Sequence, residues 1–132
     1  MTSGRTKAKQ AQKVEIRHYS MGKDVVFLVT GGAAHIGATA TACWSDKEGE
    51  AVHVDVLTLP GHREDRLAAE LAVAAASALR RTVAVMAGIH LDRPSREDIE
   101  GIVREARLRM KQVLDEWEDR PEESEASGET IG

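Results

Sequence analysis

The sequence predicts an α/β protein, more specifically an α+β two-layer sandwich whose mixed sheet carries its helices on one face. Three observations lead to this prediction. Four segments with strand patterns come first, an Ala- and Leu-rich helical segment follows, and a fifth strand and a second, amphipathic helix complete the chain. The predicted order is therefore β-β-β-β-α-β-α, with a right-handed crossover wherever the helix joins parallel strands.

Five segments have strand patterns: residues 14–20, 24–30, 38–44, 51–57 and 82–87. The first, third and fourth alternate apolar or small side chains with polar ones, as half-buried strands do. The second and fifth are near-continuous apolar runs, which are typical of central strands. A polar turn between the third and fourth segments predicts that these two form a hairpin.

Two segments have helical patterns. Residues 64–80 are dense in Ala and Leu, which favour helices, and contain neither Gly nor Pro. Farther along, Ser95 and Asp98 form a variant capping box that opens a second helix. The apolar side chains of this second helix share one stripe: Ile99, Ile102, Val103, Ala106, Met110, Val113 and Leu114.

The first predicted helix is also small and weakly polar on its outer side, where Val73, Ala74 and Ala78 lie. A helix of this kind is usually buried on both sides, either under a second sheet or in a subunit interface. We therefore expect a homo-oligomer.

The length of 132 residues fits one domain, which we place at residues 13–118. Residues 1–12 are predicted to be a disordered basic arm and residues 119–132 a disordered acidic tail, because neither holds enough apolar surface to offset the entropy of ordering. The arm lacks interleaved aromatic residues, and the whole chain has a formal charge of −4. We therefore expect no nucleic-acid partner.

Cysteine content and hydropathy indicate the compartment. A single cysteine excludes an intrachain disulfide framework and suits a reducing environment. No apolar stretch approaches the roughly 20 residues of a membrane span, and the polar N-terminus lacks the apolar segment of a secretory signal. We expect a cytoplasmic protein with no membrane partner.

A glycine-rich segment follows the second predicted strand and resembles the turn that opens a dinucleotide-binding fold. That turn requires a helix after it, whereas residues 38–44 have a strand pattern, so a Rossmann dehydrogenase is disfavoured. Two interpretations remain open for Gly31 and Gly32. They shape a tight connection, or they let backbone amides approach an anion closely.

Three histidines are the candidate site residues, because each follows or precedes a predicted element. His35 follows the second strand, His62 precedes the first helix, and His90 follows the fifth strand. Loops of this kind can converge at one edge of a sheet, and imidazole is a common metal ligand. Arg63 beside the helix start suits a phosphate. The alternative is that these histidines are capping or surface residues.

Other side chains offer less chemistry. Cys43 lies within a strand and is expected to be an inert thiol. Glu64 and Asp65 are successive residues entering a helix and are expected to point in different directions, so no acid–base dyad is predicted.

Three motifs together resemble the LpdD-like prenylated-flavin chaperones, the small D subunits associated with gallate-type decarboxylases. They are VTGGAAHIG at residues 29–37, PGHRED at 60–65 and AGIHLD at 87–92. The resemblance covers about residues 14–103. It implies a noncatalytic accessory protein that binds prenylated FMN and delivers it to a UbiD-type decarboxylase. A flavin prenyltransferase is a further candidate partner.

The resemblance also implies a set of cofactor-binding residues: Gly31, Gly32, His35, His62, Arg63 and His90. We extend it with the hypothesis that His35, His62 and His90 hold a divalent metal, which bridges them to the flavin phosphate. Some members of the family have a longer segment between the glycine pair and the histidine than Ala33–Ala34.

Few aromatic residues are present to hold a flavin ring: the chain has two Trp, one Tyr and one Phe. Trp44 is the only one near the predicted loops. We therefore expect the phosphate end to anchor the cofactor, with the ring against small aliphatic surface or a neighbouring subunit. Two other functions stay open, namely a small metal-dependent enzyme that uses the ion as a Lewis acid, and a cofactor-free structural subunit of a decarboxylase complex.

Overall fold

A computed structural model describes residues 13–45 and 51–118 of the chain. It contains a five-stranded mixed sheet and two helices in the predicted order, which confirms the α+β fold class. The elements are β1 (Glu15–Met21), β2 (Asp24–Gly31), β3 (Ala38–Ser45), β4 (Ala51–Thr58), α1 (Asp65–Leu79), β5 (Val83–Ile89) and α2 (Arg96–Glu118). The predicted basic arm, residues 1–12, and acidic tail, residues 119–132, lie outside the described residues.

The strands are arranged in the order β1-β2-β5-β3-β4, so the last strand inserts between two that precede it in the chain. β2 and β5 are parallel, while the pairs β1–β2, β3–β5 and β3–β4 are antiparallel. As a result, β2, β5 and β4 all end at the edge where β3 begins. The three connections that leave or enter this edge, residues 32–37, 59–64 and 90–95, carry the three candidate histidines.

The core lies between the sheet and the two helices. Alternate residues of β2, β3 and β5 face the helices and are fully or almost fully buried: Val25, Phe27, Val29, Ala38, Ala40, Ala42, Val83, Val85 and Ala87. Helix α1 packs on β3, β4 and β5, and α2 packs on α1 and β1. The small Ala side chains on the inner side of α1 are completely buried, which lets the helix approach the sheet closely.

Side-chain contacts fix the start of α2 and the end of α1. The predicted capping box is present: the Asp98 N–H donates to Ser95 Oγ at 2.9 Å, and the Ser95 N–H donates to Asp98 Oδ2 at 3.0 Å. At the far end of α1, Trp44 Nε1 donates to the Ala76 carbonyl at 2.9 Å, and the Arg80 guanidinium lies 4.2 Å from the Trp44 ring centroid. Trp44 is therefore engaged with α1 at the opposite end from the histidine loops.

The two helices are also joined by charge. Arg107 of α2 donates to both carboxylate oxygens of Glu70 on α1, at 2.7 and 2.9 Å. This hydrogen bonding raises the pKa of Arg107. On the outer side of α1, Ala74 and Ala78 are exposed and Val73 is half-buried. Neither helix within the described residues has both the length and the apolar character needed to cross a membrane.

Candidate metal and cofactor site

The three candidate histidines lie together at one edge of the sheet. The ring centroids of His35 and His62 are 4.9 Å apart, and those of His35 and His90 are 6.5 Å apart. Each ring comes from a different loop, and His35 and His90 are more than fifty positions apart in the sequence. The strand order explains why the three histidines lie close together, because β2, β4 and β5 end at the same edge of the sheet.

Glu64 lies between the histidines, although the sequence analysis treated it as an ordinary helix-entry residue. Its Oε2 is 3.3 Å from His35 Nε2, and its Oε1 is 3.6 Å from His62 Nδ1. The Glu64 side chain is only 10% exposed. It is the candidate site residue that was not predicted from the sequence.

Two backbone amides hold the Glu64 carboxylate in place. The Ile89 N–H donates to Oε2 at 3.0 Å, and the Arg63 N–H donates to Oε1 at 3.1 Å. Glu64 immediately precedes α1, and its side chain makes no capping hydrogen bond to that helix. The carboxylate is thus directed toward the end of β5 and the histidines. The signal in the sequence was the H-x-E spacing of His62 and Glu64.

The His35 ring points one nitrogen at a backbone carbonyl and the other at the Glu64 carboxylate. His35 Nδ1 is 3.0 Å from the carbonyl oxygen of Ala33, and a carbonyl only accepts, so Nδ1 carries the proton of this hydrogen bond. In the neutral ring, Nε2 then presents a lone pair to a carboxylate oxygen 3.3 Å away. Two acceptors at this distance need a proton or a metal ion between them. A ligating imidazole commonly donates its other N–H to a carbonyl in this manner.

One atom from each of His35, His62 and Glu64 forms a group within 4.8 Å of one another, as the ligands of one metal ion would. Two imidazoles and one carboxylate suit transition-metal ions such as Mn²⁺, Fe²⁺ or Zn²⁺ and leave coordination positions for another ligand. His90 is adjacent to this group, with its Nε2 3.2 Å from Asp92 Oδ1. The part played by His90 as a metal ligand stays a prediction.

Two glycines create the space in which the group assembles. A Cβ at Gly88 of β5 would overlap the carbonyl oxygen of His35, so the loop carrying His35 can cross the strand only where no side chain is present. A Cβ at Gly37 would overlap the Glu64 carboxylate. Gly88 is therefore required by its close approach to backbone, whereas a side chain at Gly37 would displace the Glu64 carboxylate.

The remaining predicted site residues surround the group. The Gly31 carbonyl accepts the His90 N–H at 2.8 Å, which attaches the His90 loop to the end of β2. Gly32 follows with a φ of +72° and is exposed. Arg63 is exposed on the same loop as His62. The glycine pair does not precede a helix, which agrees with the predicted absence of a dinucleotide-binding turn.

A cleft of about 650 Å³ begins at Gly31 and Gly32 and extends between β1 and α2. Its walls are aliphatic in part and charged in part. The lining residues are Lys13, Val14, Glu15, Ile16, Thr30, Gly31, Gly32, Arg109, Gln112, Val113 and Glu116. The cleft and the histidine group thus share the backbone at the end of β2.

The fold and the site define a small α+β protein whose sheet edge carries a preformed His–His–Glu group beside a cleft. A family model described as the prenylated flavin chaperone LpdD-like domain matches residues 8–118. The chain belongs to this family. A comparison with curated proteins finds no match.

Proposed function

We propose that this protein binds prenylated FMN without transforming it and delivers it to a UbiD-type decarboxylase. Membership of the prenylated-flavin chaperone family supports this function. The observation that supports the binding site is the Glu64 carboxylate between two imidazoles, with Oε2 3.3 Å from His35 Nε2 and Oε1 3.6 Å from His62 Nδ1. A divalent metal ion satisfies these acceptors, and it supplies positive charge and open positions for a phosphate.

In this proposal the phosphate end is the anchor of the cofactor. His35, His62 and Glu64 would hold the metal, and the exposed Arg63 lies on the same loop as one of them. An arginine pairs well with phosphate oxygens because its planar group donates two parallel hydrogen bonds. His90 and the glycine pair, Gly31 and Gly32, complete the proposed phosphate-binding site. The chaperone thus recognises the part of the cofactor that takes no part in decarboxylation.

We place the flavin ring in the cleft that begins at the glycine pair. Val14, Ile16 and Val113 provide aliphatic contact, whereas Trp44 is engaged with α1 and is not available for stacking. A ring held without aromatic stacking is more easily released than one stacked between aromatic side chains. This property suits transfer to the decarboxylase.

The remaining elements of the proposal concern the setting of the protein. We propose that it works in the cytoplasm as a homo-oligomer, that it receives prenylated FMN from a flavin prenyltransferase and that it passes the cofactor on to the decarboxylase. The family description supports the handling of prenylated flavin, and the single cysteine suits a reducing compartment.

Mixing the purified full-length protein with reduced prenylated FMN under anaerobic conditions, with and without EDTA, tests the function. We expect a coloured complex that survives gel filtration and is lost when EDTA removes the metal. Metal binding without flavin binding would instead favour a metal-dependent enzyme, and binding of neither would favour a structural subunit. Unchanged flavin affinity after replacing His35, His62 and His90 with Ala would contradict the proposed site.

Replacing Arg109 with Ala tests the position of the ring. Arg109 lines the cleft, and a reduced flavin carries negative charge on its pyrimidine ring, which a guanidinium would stabilise. We expect flavin affinity to fall about ten-fold while Mn²⁺ affinity stays unchanged, with both measured by titration calorimetry. Lys111→Ala is the matched control, because Lys111 pairs with Asp115 on α2 as Arg109 pairs with Glu105, but it does not line the cleft. Equal effects of the two substitutions would place the ring elsewhere.

A further inference from the structure

Neither helix packs on one of the two faces of the sheet. We call this face, with the strand side chains that point toward it, the open face. Both helices pack on the opposite face, and no other element of residues 13–45 and 51–118 covers this one. The cross-strand register places two complete rows on it. One row is Arg17, Leu28, Met86, Thr39 and Leu57, and the next is Tyr19, Val26, Ala84, Thr41 and Asp55.

The two central strands are apolar on both of their faces. Residues 25–29 of β2 and 83–87 of β5 are continuous apolar runs, although only every second side chain can face the helices. Continuous apolar runs are typical of strands that are buried on both faces, whereas a strand with one wet face alternates apolar and polar residues. The middle of the open face is therefore apolar enough to be covered, while β1, β3 and β4 add polar side chains around it.

We propose that the open face is the interface of a homodimer, in which two sheets pack face to face about a two-fold axis that runs along β5. This surface specifies the homo-oligomer of the proposed function, on which it rests, and it does not depend on flavin or metal. Five strands about 4.8 Å apart and about seven residues long give a footprint on the order of 550 Å² before side chains are counted. That planar area is roughly two thirds of the ~800 Å² of accessible surface that each partner contributes to a typical stable interface, and the relief of the side chains adds to it.

The sizes of the side chains on the open face favour a second copy as the partner. The proposed axis lays β2 of one copy over β3 of the other. Val26 and Leu28 on β2 then face Thr39 and Thr41 on β3, so that large side chains oppose small ones. Such alternation lets the two layers interdigitate at the density of a protein interior.

The charges at the two margins of the open face are also complementary under the same axis. Arg17 and Tyr19 lie on the outer strand β1, and Asp55 lies on the outer strand β4 at the other margin. The axis lays β1 of one copy over β4 of the other, which brings Tyr19 opposite Asp55 and Arg17 one row away. Arg17 pairs with Glu15 of its own strand at 3.2 Å, and the two-fold axis would bring Asp55 of the other copy to the same guanidinium at two symmetric places. Tyr19 is 53% exposed and Leu57 62% exposed in the single chain, so both are available for this contact.

Charge exchange across the margins tests the proposal, with mass measured by sedimentation and light scattering without flavin or metal. We expect the wild-type chain to have twice its 14.3 kDa mass. Asp55→Arg and Arg17→Asp should each raise the dimer dissociation constant at least 100-fold, and the double variant should restore the dimer. Lys111→Glu, on the exposed surface of α2, is the control and should remain dimeric.

Several outcomes would overturn the homodimer. One is a monomeric wild-type chain, including a chain that covers the open face only with a decarboxylase. Another is a dimer that survives both single substitutions, or a double variant that stays monomeric although its circular dichroism is native. Prenylated-FMN binding is measured separately. A monomeric chain would therefore not contradict the proposed binding and delivery of the cofactor, and loss of flavin binding would not contradict the dimer.

Discussion

Replacing Glu64 with Gln is expected to lower the affinity of the protein for Mn²⁺ or Zn²⁺ by at least about 100-fold. The substitution keeps the size of the side chain and an oxygen that can accept from the Ile89 N–H. It removes the oxygen that accepts from the Arg63 N–H and the negative charge between His35 and His62. Loss of a partner that only supports a metal ligand costs about 10- to 100-fold in affinity, so loss of a ligating charge should cost at least as much. Titration calorimetry with the metal alone measures the effect.

Asp65→Asn is the matched control for Glu64→Gln. Asp65 is the neighbouring acidic residue and lies in the first turn of α1, so its replacement removes the same charge from the same helix end. Only Glu64 belongs to the group whose ligand atoms lie within 4.8 Å of one another. We therefore expect Asp65→Asn to leave metal affinity within about two-fold, since a helix-end charge contributes only about 0.3–1 kcal/mol. Equal losses in the two variants would show that Glu64 acts through the field of the helix and not as a ligand.

The Glu64 variant also tests whether binding of prenylated FMN depends on binding of the metal. If the metal anchors the phosphate, Glu64→Gln should lose prenylated FMN to the same extent as wild-type protein treated with EDTA. The two losses should not add when EDTA is given to the variant, because both remove one and the same interaction. A variant that binds no metal but retains the cofactor fully would keep the chaperone function and exclude the metal bridge.

The fold class was predictable from local patterns, because one face of each strand is buried and the side-chain period reports it. Alternation in β3 and β4 and the Ala-rich run of α1 identified these elements. The insertion of β5 between β2 and β3 was not predictable in this way. That choice depends on pairings between segments far apart in the chain, and a short apolar run carries no information about its neighbours.

The candidate site likewise contains residues that were predictable from the sequence and one that was not. His35, His62 and His90 were predictable because each lies where a strand ends or a helix begins, and loops at strand ends carry function. Glu64 was missed because a carboxylate at a helix start is ordinary on electrostatic grounds alone. What makes it unusual is its surroundings, the Ile89 amide and the space above Gly37, and both come from other parts of the chain.

Gly88 provides the second test of the site, because the path of the His35 loop depends on a missing side chain. A Cβ at position 88 would overlap the His35 carbonyl oxygen, and the ring of His35 is also close, at 3.2 Å. The contact is with backbone, which cannot turn away as a flexible side chain can. Moreover, the same loop is attached to β5 by the Gly37 N–H, which donates to the Ala87 carbonyl at 2.8 Å. Relief of the overlap therefore has to displace His35.

Gly88→Ala is expected to lower the free energy of unfolding by about 2–3 kcal/mol, as overpacking of a close contact does, and to weaken Mn²⁺ binding at least ten-fold. Urea denaturation and calorimetry measure the two effects. Gly22→Ala is the control: Gly22 has a φ of +65° in the β1–β2 turn, with nothing within 4 Å of an added Cβ. It should cost about 1 kcal/mol from the left-handed backbone alone and leave metal affinity unchanged. If Gly88→Ala lost stability but bound metal normally, the position of His35 would not depend on the strand beneath it, and the ligand group would have to assemble by another route.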